Sequence, residues 1–357
     1  MKAAGYRVAV LGASSLLGKE LITLLEERKF PVSALQVLEG DQAEPDLPIV
    51  DLEERPFVPL SGEEGEEKIP LDSDFLFVAT LSERLRAKLH GATDARQDSA
   101  SAPTVIDLTT SVAEAAAAIF RIPFLDHLKV GGQDRPSSEG SRTFASPHAA
   151  TIMISSLMAR LAARFPIETA VAQIFSPASE FGPRAIEELQ KQTVNLLSFQ
   201  KVPQKVFGAQ IAFNLLPRLG SDMRDAEALE ARIRSQLQSY GHGQTPLPAL
   251  RLLHAPVFYS IGLSLYVETR ERVAPADMVA ALEGKPVRIR RMSEKPPSQV
   301  EAAGSNEILV DAIQPDASHP RGVWFWAVAD NLRLTAANAV AIAESLHQRS
   351  QPRNLLS

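Results

Sequence analysis

Cysteine is missing from all 357 residues. No disulfide, no thiolate-bound zinc or iron–sulfur cluster and no protein thiol nucleophile can form in such a chain. Histidine is sparse and scattered: the 7 histidines stand at 90, 127, 148, 242, 254, 319 and 347, with no HxH or HxxxH pair to hold a metal ion. A GxSxG elbow is also missing, which removes the signature of an α/β-type Ser-His-Asp hydrolase. No apolar run approaches the ~18–20 residues that span a bilayer. The opening MKAAGYRVAVLGASS meets its glycine turn too soon for a signal peptide. These absences lead us to expect a cytoplasmic protein with no metal and no membrane association.

Basic residues are nearly lacking from residues 39–74, which hold 13 acidic side chains against Arg55 and Lys68. That segment is −11 while the whole chain is −6, so the remainder is +5. A mildly acidic chain without a basic patch does not suit nucleic acid, and the acidic run reads as a solvated loop and edge region. What is present is ordinary for a globular protein: 45% hydrophobic and 22% charged residues. At roughly 100–200 residues per domain, the length implies about two domains.

Residues 6–11, YRVAVL, form a β-branched apolar run that leads into GASSLLG and an amphipathic helix over about 17–28. A second strand follows at 34–40, so the chain opens as a β-α-β dinucleotide-binding unit. DFLFVAT (74–80) and TVIDLT (104–109) fit parallel strands buried on both faces, with a helix over 81–95 between them. The Gly/Ser-rich stretch 129–143 reads as a loop at a domain boundary. Beyond it come helices over 149–165, 183–199, 222–239, 276–284 and 332–348. Strands are expected at 168–179, in two runs within 251–271, at 286–292 and at 322–331. The second half therefore reads as an α+β domain on one large mixed sheet.

Four segments, in order, resemble the aspartate-semialdehyde dehydrogenase family: VAVLGASSLLG (8–18), VFGAQIAFNLLPRLG (206–220), APVFYS (255–260) and WFWAVADNLRLTAANAVAIAESL (324–346). The resemblance implies an α/β Rossmann domain over 1–148 and an α+β dimerisation domain over 149–330. It also implies a C-terminal helix, 331–357, that returns to the first domain. It implies a homodimer and an oxidoreductase of amino-acid biosynthesis that makes a thioester from an aldehyde, passes hydride to a nicotinamide and cleaves the thioester with phosphate.

The residues that this chemistry requires are not where the resemblance puts them. The family's PNCxTI, with cysteine at a helix N-terminus, becomes PHAATI (147–152), so Ala149 stands at the nucleophile position. The supporting Gln aligns with Ser176, the general-base His with Ile261, and a carboxylate-binding Arg with His254. A second such Arg aligns with about Ala113, and the family's phosphate-binding Lys falls near Ala228. The Gly-Ala-Gly turn aligns with Glu180, Phe181 and Gly182. A methyl group cannot attack a carbonyl, and no catalytic residue is assigned; His148 and His254 are weak acid–base candidates, since histidine titrates near neutral pH.

For a dinucleotide, the candidate contacts are Gly12, Ser14, Ser15, Gly18, Glu39 and Asn338. Ser15 replaces the family's middle glycine, Thr80-Leu81 replaces a glycine pair, and Thr335 replaces another glycine, while Asn331 and Asn338 match. Glu39 lies 21 residues after Gly18, where an acidic side chain holds the ribose hydroxyls of NAD. EGDQAEPD (39–46) would repel a 2′-phosphate, so NAD is allowed, NADP is disfavoured, and the chain is equally compatible with no dinucleotide. The sequence points to a catalytically inactive relative, a scaffold or regulatory protein whose partner is a second copy, an active paralogue or another protein. The alternative is an NAD-dependent oxidoreductase that acts on an aldehyde or oxo group without a thiol.

Overall fold

The computed structural model describes residues 5–38, 58–59, 69–80, 89, 102–109, 118–128, 142–220, 224–241 and 246–350. The chain divides into two units. One comprises Met1–Pro123, Pro136–His148 and Thr335–Ser357; the other comprises Phe124–Arg135 and Ala149–Leu334.

The first unit is built on β1 (Tyr6–Leu11), α1 (Leu16–Glu27), β2 (Val32–Leu38), β3 (Val58–Pro59), β4 (Phe75–Val78), β5 (Thr104–Asp107), β6 (Ile119–Phe120) and β7 (Thr143–Ala145). The strands form one sheet in the order β3-β2-β1-β4-β5-β7-β6, and all of its pairings are parallel. Strand periodicity explains why β1 has no polar face. Val8 and Val10 pack with Leu21 and Leu24 of α1 and with Val340 of the C-terminal helix, whereas Ala9 and Leu11 pack on the other side with Leu76, Val78 and Val105. The C-terminal helix is further tied in by the Arg28–Glu344 ion pair at 3.2 Å and by Tyr6, whose hydroxyl meets His347 Nδ1 at 2.7 Å.

The turn between β1 and α1 is held by close packing and by a serine cap. Gly12 has a φ of +79°, and a Cβ there would meet the Thr80 side chain. A Cβ on Gly18 would lie 2.1 Å from the Gly12 carbonyl oxygen. Ser15 caps α1: its Oγ donates to Gly12 O at 2.7 Å and accepts from Gly18 N at 3.0 Å.

The second unit carries α2 (Ala149–Ala162), β8 (Ile167–Ser176), α3 (Pro183–Leu197), α4 (Arg224–Gly241), β9 (Ala249–His254), β10 (Ile261–Thr269), α5 (Pro275–Leu282), β11 (Val287–Ile289), α6 (Gln299–Ala302), β12 (Ile308–Val310), β13 (Gln314–Pro315), β14 (Gly322–Ala329) and the start of α7 (Asn331–Ser350). Its sheet runs β11-β12-β14-β10-β8-β9, with β13 added to β14. It is mixed: β8 and β9 are parallel, whereas β10 is antiparallel to both β8 and β14. Helix α2 is buried from Ala149 through Leu161, as its nearly all-apolar sequence requires. Its Thr151 donates to Gln236 of α4 at 2.8 Å, and its Arg160 donates to the carbonyls of Glu283 at 2.9 Å and Lys285 at 2.6 Å.

One turn of α3 organises the irregular segment that follows it. Glu188 accepts from the backbone N–H groups of Lys205 and Val206, both at 2.7 Å, and of Phe207 at 3.1 Å. Gln192 donates to Pro203 O at 2.8 Å and Ala209 O at 2.9 Å, and accepts from Ile211 N at 2.9 Å and Ala212 N at 3.1 Å. These two side chains occupy adjacent turns of one helix face.

The expected α/β unit followed by a mixed-sheet α+β unit is the observed fold class. Five short strands escape the sequence pattern, among them the two-residue β3 and β13. β7 begins at Thr143, inside the stretch read as a loop, while β6 and β12 are only two and three residues long. Apart from Leu89, which is buried and helical, the expected helix over 81–95 lies outside the described residues, as does most of the expected loop 129–143.

The clash distances give a direct test of the turn. Gly18→Ala should lower unfolding stability by about 1–3 kcal/mol, the range of overpacking. Ser15→Ala should cost about 1 kcal/mol through the lost cap. Urea melts of both variants would check this, and a Gly18→Ala loss smaller than that of Ser15→Ala would show that the turn relaxes around the added methyl.

Candidate functional site

At one end of the second unit's sheet, the end of β8, the end of β9, the start of β10 and the end of β14 lie side by side. Ser176 is the register partner of His254 across the β8–β9 pair. On its other side, the register that pairs Phe175 with Gly262 brings the start of β10 alongside Ser176, and Ile261 in turn faces Ala329 of β14. Register partners project to the same face of a sheet, so Ser176, His254 and Ile261 share one face. All three are buried.

The backbone around His254 is fully bonded: its N–H donates to Leu216 O at 2.8 Å, its carbonyl accepts from Leu216 N at 3.0 Å, and Ala255 N donates to Ser176 O at 2.9 Å. The side chain is not. His254 is 2% exposed, and neither ring nitrogen has a hydrogen-bond partner. The hydroxyls of Ser176 and Ser260 are also buried and unpartnered. Each buried polar group left unmet costs about 1–3 kcal/mol, so three residues in this state concentrate an unusual deficit in one place. Burial pushes the imidazole down to about 4, against a smaller upward pull from the Glu180 carboxylate, and His254 is therefore neutral at physiological pH. The ring of Phe181 lies 5.5 Å from it, centroid to centroid.

The surrounding frame is polar and well bonded. Asn331 Oδ1 accepts from Ser179 Oγ at 3.1 Å and from Ser260 N at 3.2 Å, while its Nδ2 donates to Glu180 Oε1 at 2.9 Å. Ser260 is held in the left-handed region, with a φ of +70°, where residues with a Cβ are strained. Next to Asn331, Asp330 Oδ1 accepts from Leu332 N at 3.1 Å and Arg333 N at 3.0 Å, which caps α7, and its Oδ2 accepts from Gly304 N at 2.8 Å.

The structure places the other sequence candidates as follows. Ala149 is the first residue of α2 and is buried; its side chain offers only a methyl group. His148, which is half-buried, and Ala149 fall on either side of the division between the units. Ile261 puts hydrocarbon beside Ser176 where a base was expected from the resemblance. Sequence reasoning singled out Ser176 and His254 but passed over Ser260 and gave Glu180 only as a position in the turn aligned with Gly-Ala-Gly. The Asp-Asn pair that ends β14 was the available signal for this frame, since such residues cap helices and bond to turns.

In the first unit, Gly12, Ser14, Ser15 and Gly18 form the turn before α1. Free N–H groups at a helix N-terminus bind a pyrophosphate, but here the Ser15 hydroxyl has already taken Gly18 N and the Thr80 side chain presses on Gly12. The turn as arranged is a poorer fit for a pyrophosphate than a three-glycine turn. Asn338 is fully buried, and its amide nitrogen donates to Arg121 O at 2.9 Å and Ser146 Oγ at 3.0 Å. Glu39 lies outside the described residues. Among the described residues, no group of three or more His, Asp or Glu side chains is placed to hold a metal ion, and no helix is long and apolar enough to cross a membrane.

Comparison with known proteins gives the same direction over the whole chain. A family model described as "Semialdehyde dehydrogenase, dimerisation domain" matches residues 158–334. An aspartate-semialdehyde dehydrogenase of Aquifex aeolicus is 26% identical over 348 residues, covering 96% of this chain and 98% of the relative. A "USG-1 protein homolog" of Pseudomonas aeruginosa is 27% identical over 351 residues, covering 95% and 97%. The solved structure of a probable aspartate-semialdehyde dehydrogenase from Pseudomonas aeruginosa superimposes with a TM-score of 0.81 at 26% identity, covering 97% of this chain and 100% of that one.

The neutral His254 makes stability depend on pH. Its folded value of about 4 lies below the ordinary 6.5, so the unfolded chain binds more protons between those two values. Stability is therefore fully present above pH 6.5 and is lost as pH falls toward 4, by up to about 3 kcal/mol. Urea unfolding at pH 7.5 and 4.5 should show a drop in the wild type that is smaller by this amount in His254→Gln. An equal drop in both would place the acid sensitivity elsewhere.

Proposed function

We propose that the chain is a member of the aspartate-semialdehyde dehydrogenase family without the family's thiol chemistry, acting as a dimeric scaffold or regulatory binding protein in the cytoplasm. The observation that carries this reading is Ala149 at the first position of α2 in a chain with no cysteine. Thioester formation needs a sulfur nucleophile, and binding energy cannot substitute for one. The neighbouring positions support the same reading. Ile261 can neither take nor give a proton, and His254 carries no charge at neutral pH with which to clamp a carboxylate.

A non-thiol, NAD-linked oxidoreductase would need an acid–base group. The burial that keeps His254 neutral also makes it a weak base, so we prefer the non-enzymatic reading. For a dinucleotide, we hold to NAD over NADP on the acidic run from Glu39 to Asp46.

Dimerisation is supported by the description of the matching family model and by the surface of the second unit. Val194, Leu197, Phe199, Phe213 and Leu215 are all more than half exposed there, and Phe199 is 99% exposed. Large apolar side chains gathered on a surface mark a contact site.

The purified protein should give no phosphate-dependent reduction of NAD or NADP with aspartate semialdehyde above the buffer rate. Ala149→Cys alone should not restore it, because the base and the clamps are still missing. Wild-type turnover above background would overturn the reading. Calorimetry with NAD and NADP should show NAD binding the tighter of the two or neither binding; tighter NADP would overturn the cofactor preference. Light scattering should give a mass of two chains.

A further inference from the structure

We propose that Ser176 and His254 form a binding site for a small uncharged group that both donates and accepts hydrogen bonds, of the primary-amide or alcohol class. The inference rests on the proposed function in one respect: it takes the sheet end to be a binding site from which the covalent chemistry has gone.

The unmet atoms define what the ligand must carry. A neutral imidazole presents one N–H donor and one lone-pair acceptor, and a serine hydroxyl presents both. In His254 and Ser176, all of these are buried and unpartnered, on side chains that project from register-paired positions to the same face of the sheet. A third unpartnered hydroxyl, that of Ser260, belongs to a residue fixed by its own N–H to Asn331. Nearby groups that could have satisfied them are otherwise engaged: Asn331 uses its oxygen on Ser179 and Ser260 and its nitrogen on Glu180. The complement of a neutral imidazole and a hydroxyl is a group with a donor and an acceptor close together, as in a carboxamide.

Charge decides against the alternatives. Among the described residues, the charge that acts on His254 is the Glu180 carboxylate. A carboxylate or phosphate brought to the imidazole would meet that negative charge in a buried setting, where like charges repel strongly. An ammonium group would gain from Glu180 but would leave the imidazole N–H without an acceptor. The turn is the less densely packed side: Phe181, whose ring lies 5.5 Å from that of His254, is half-buried, and a side chain built on Gly182 would meet nothing within 4 Å.

The test uses three probes of one shape and different charge: propionamide, propionate and propylammonium. Histidine-labelled full-length protein is titrated with each at neutral pH, and the ring resonances are followed. The His254 signal is the one that disappears in His254→Gln. Propionamide should move this signal saturably, and the two charged probes should bind at least tenfold more weakly. Ser176→Ala should weaken propionamide roughly fivefold, the worth of one hydrogen bond, with the fold checked by its unchanged remaining histidine resonances. Preference for propionate or propylammonium, or no saturable shift with any probe, overturns the proposal. These readouts do not involve turnover, so activity on a semialdehyde would overturn the proposed function without deciding this site, and failure of all three probes would do the reverse.

Discussion

A single carboxamide, that of Asn331, holds together the parts of the second unit on which its site depends. It binds Ser179 and Glu180 in the turn after β8 and the backbone N–H of Ser260 at the entry to β10. Its neighbour Asp330 ends β14, starts α7 and reaches Gly304. Two consecutive residues thus fix the turn after β8, the left-handed bend before β10 and the start of the last helix. Those segments flank Ser176 and His254, whose side-chain polar atoms stay buried and unpartnered. An amide suits this role because it carries two acceptor sites and two donors on one planar group.

Absence of a thiol and retention of the scaffold are compatible because they rest on different forces. A nucleophile contributes to catalysis and little to packing, so replacing sulfur by a methyl group at Ala149 leaves an apolar helix buried against apolar neighbours. Gly12 and Gly18 are in the opposite position. They look like remnants of a phosphate-binding turn, yet each is required by atoms of the protein itself: the Thr80 side chain in one case and the Gly12 carbonyl in the other. A glycine pattern in such a turn therefore reports on close packing first and on a ligand second.

Much of the fold was legible because long, periodic segments carry their own signal. The continuous burial of β1 from Val8 to Leu11, the amphipathic face of α1 and the largely apolar α2 follow from local sequence. β6, β7 and β12 were not legible, since two or three residues show no period and exist as strands only because a neighbour offers a ladder. At the site, the identity of Ala149 and Ile261 could be read directly, as could the absence of cysteine. The isolation of the His254 ring could not. It arises from Leu216, which occupies the backbone of His254, and from Phe181, which covers its ring; these residues lie 38 and 73 positions away in the chain. Ser260 carried no signal at all, because a serine in a left-handed bend resembles any other turn serine.

The strap formed by Glu188 and Gln192 changes what the segment 203–212 is. By its backbone it is irregular, and by its surface it is mixed, with Gln204, Lys205, Val206 and Gly208 exposed and Phe207, Ile211 and Ala212 buried. Yet five of its amides are held by side chains of one helix face, so they can open only when those side chains let go or α3 itself unwinds. In a hydrogen-exchange experiment this stretch would report the opening of a helix that it does not belong to, and secondary structure would be the wrong guide to where the molecule yields first.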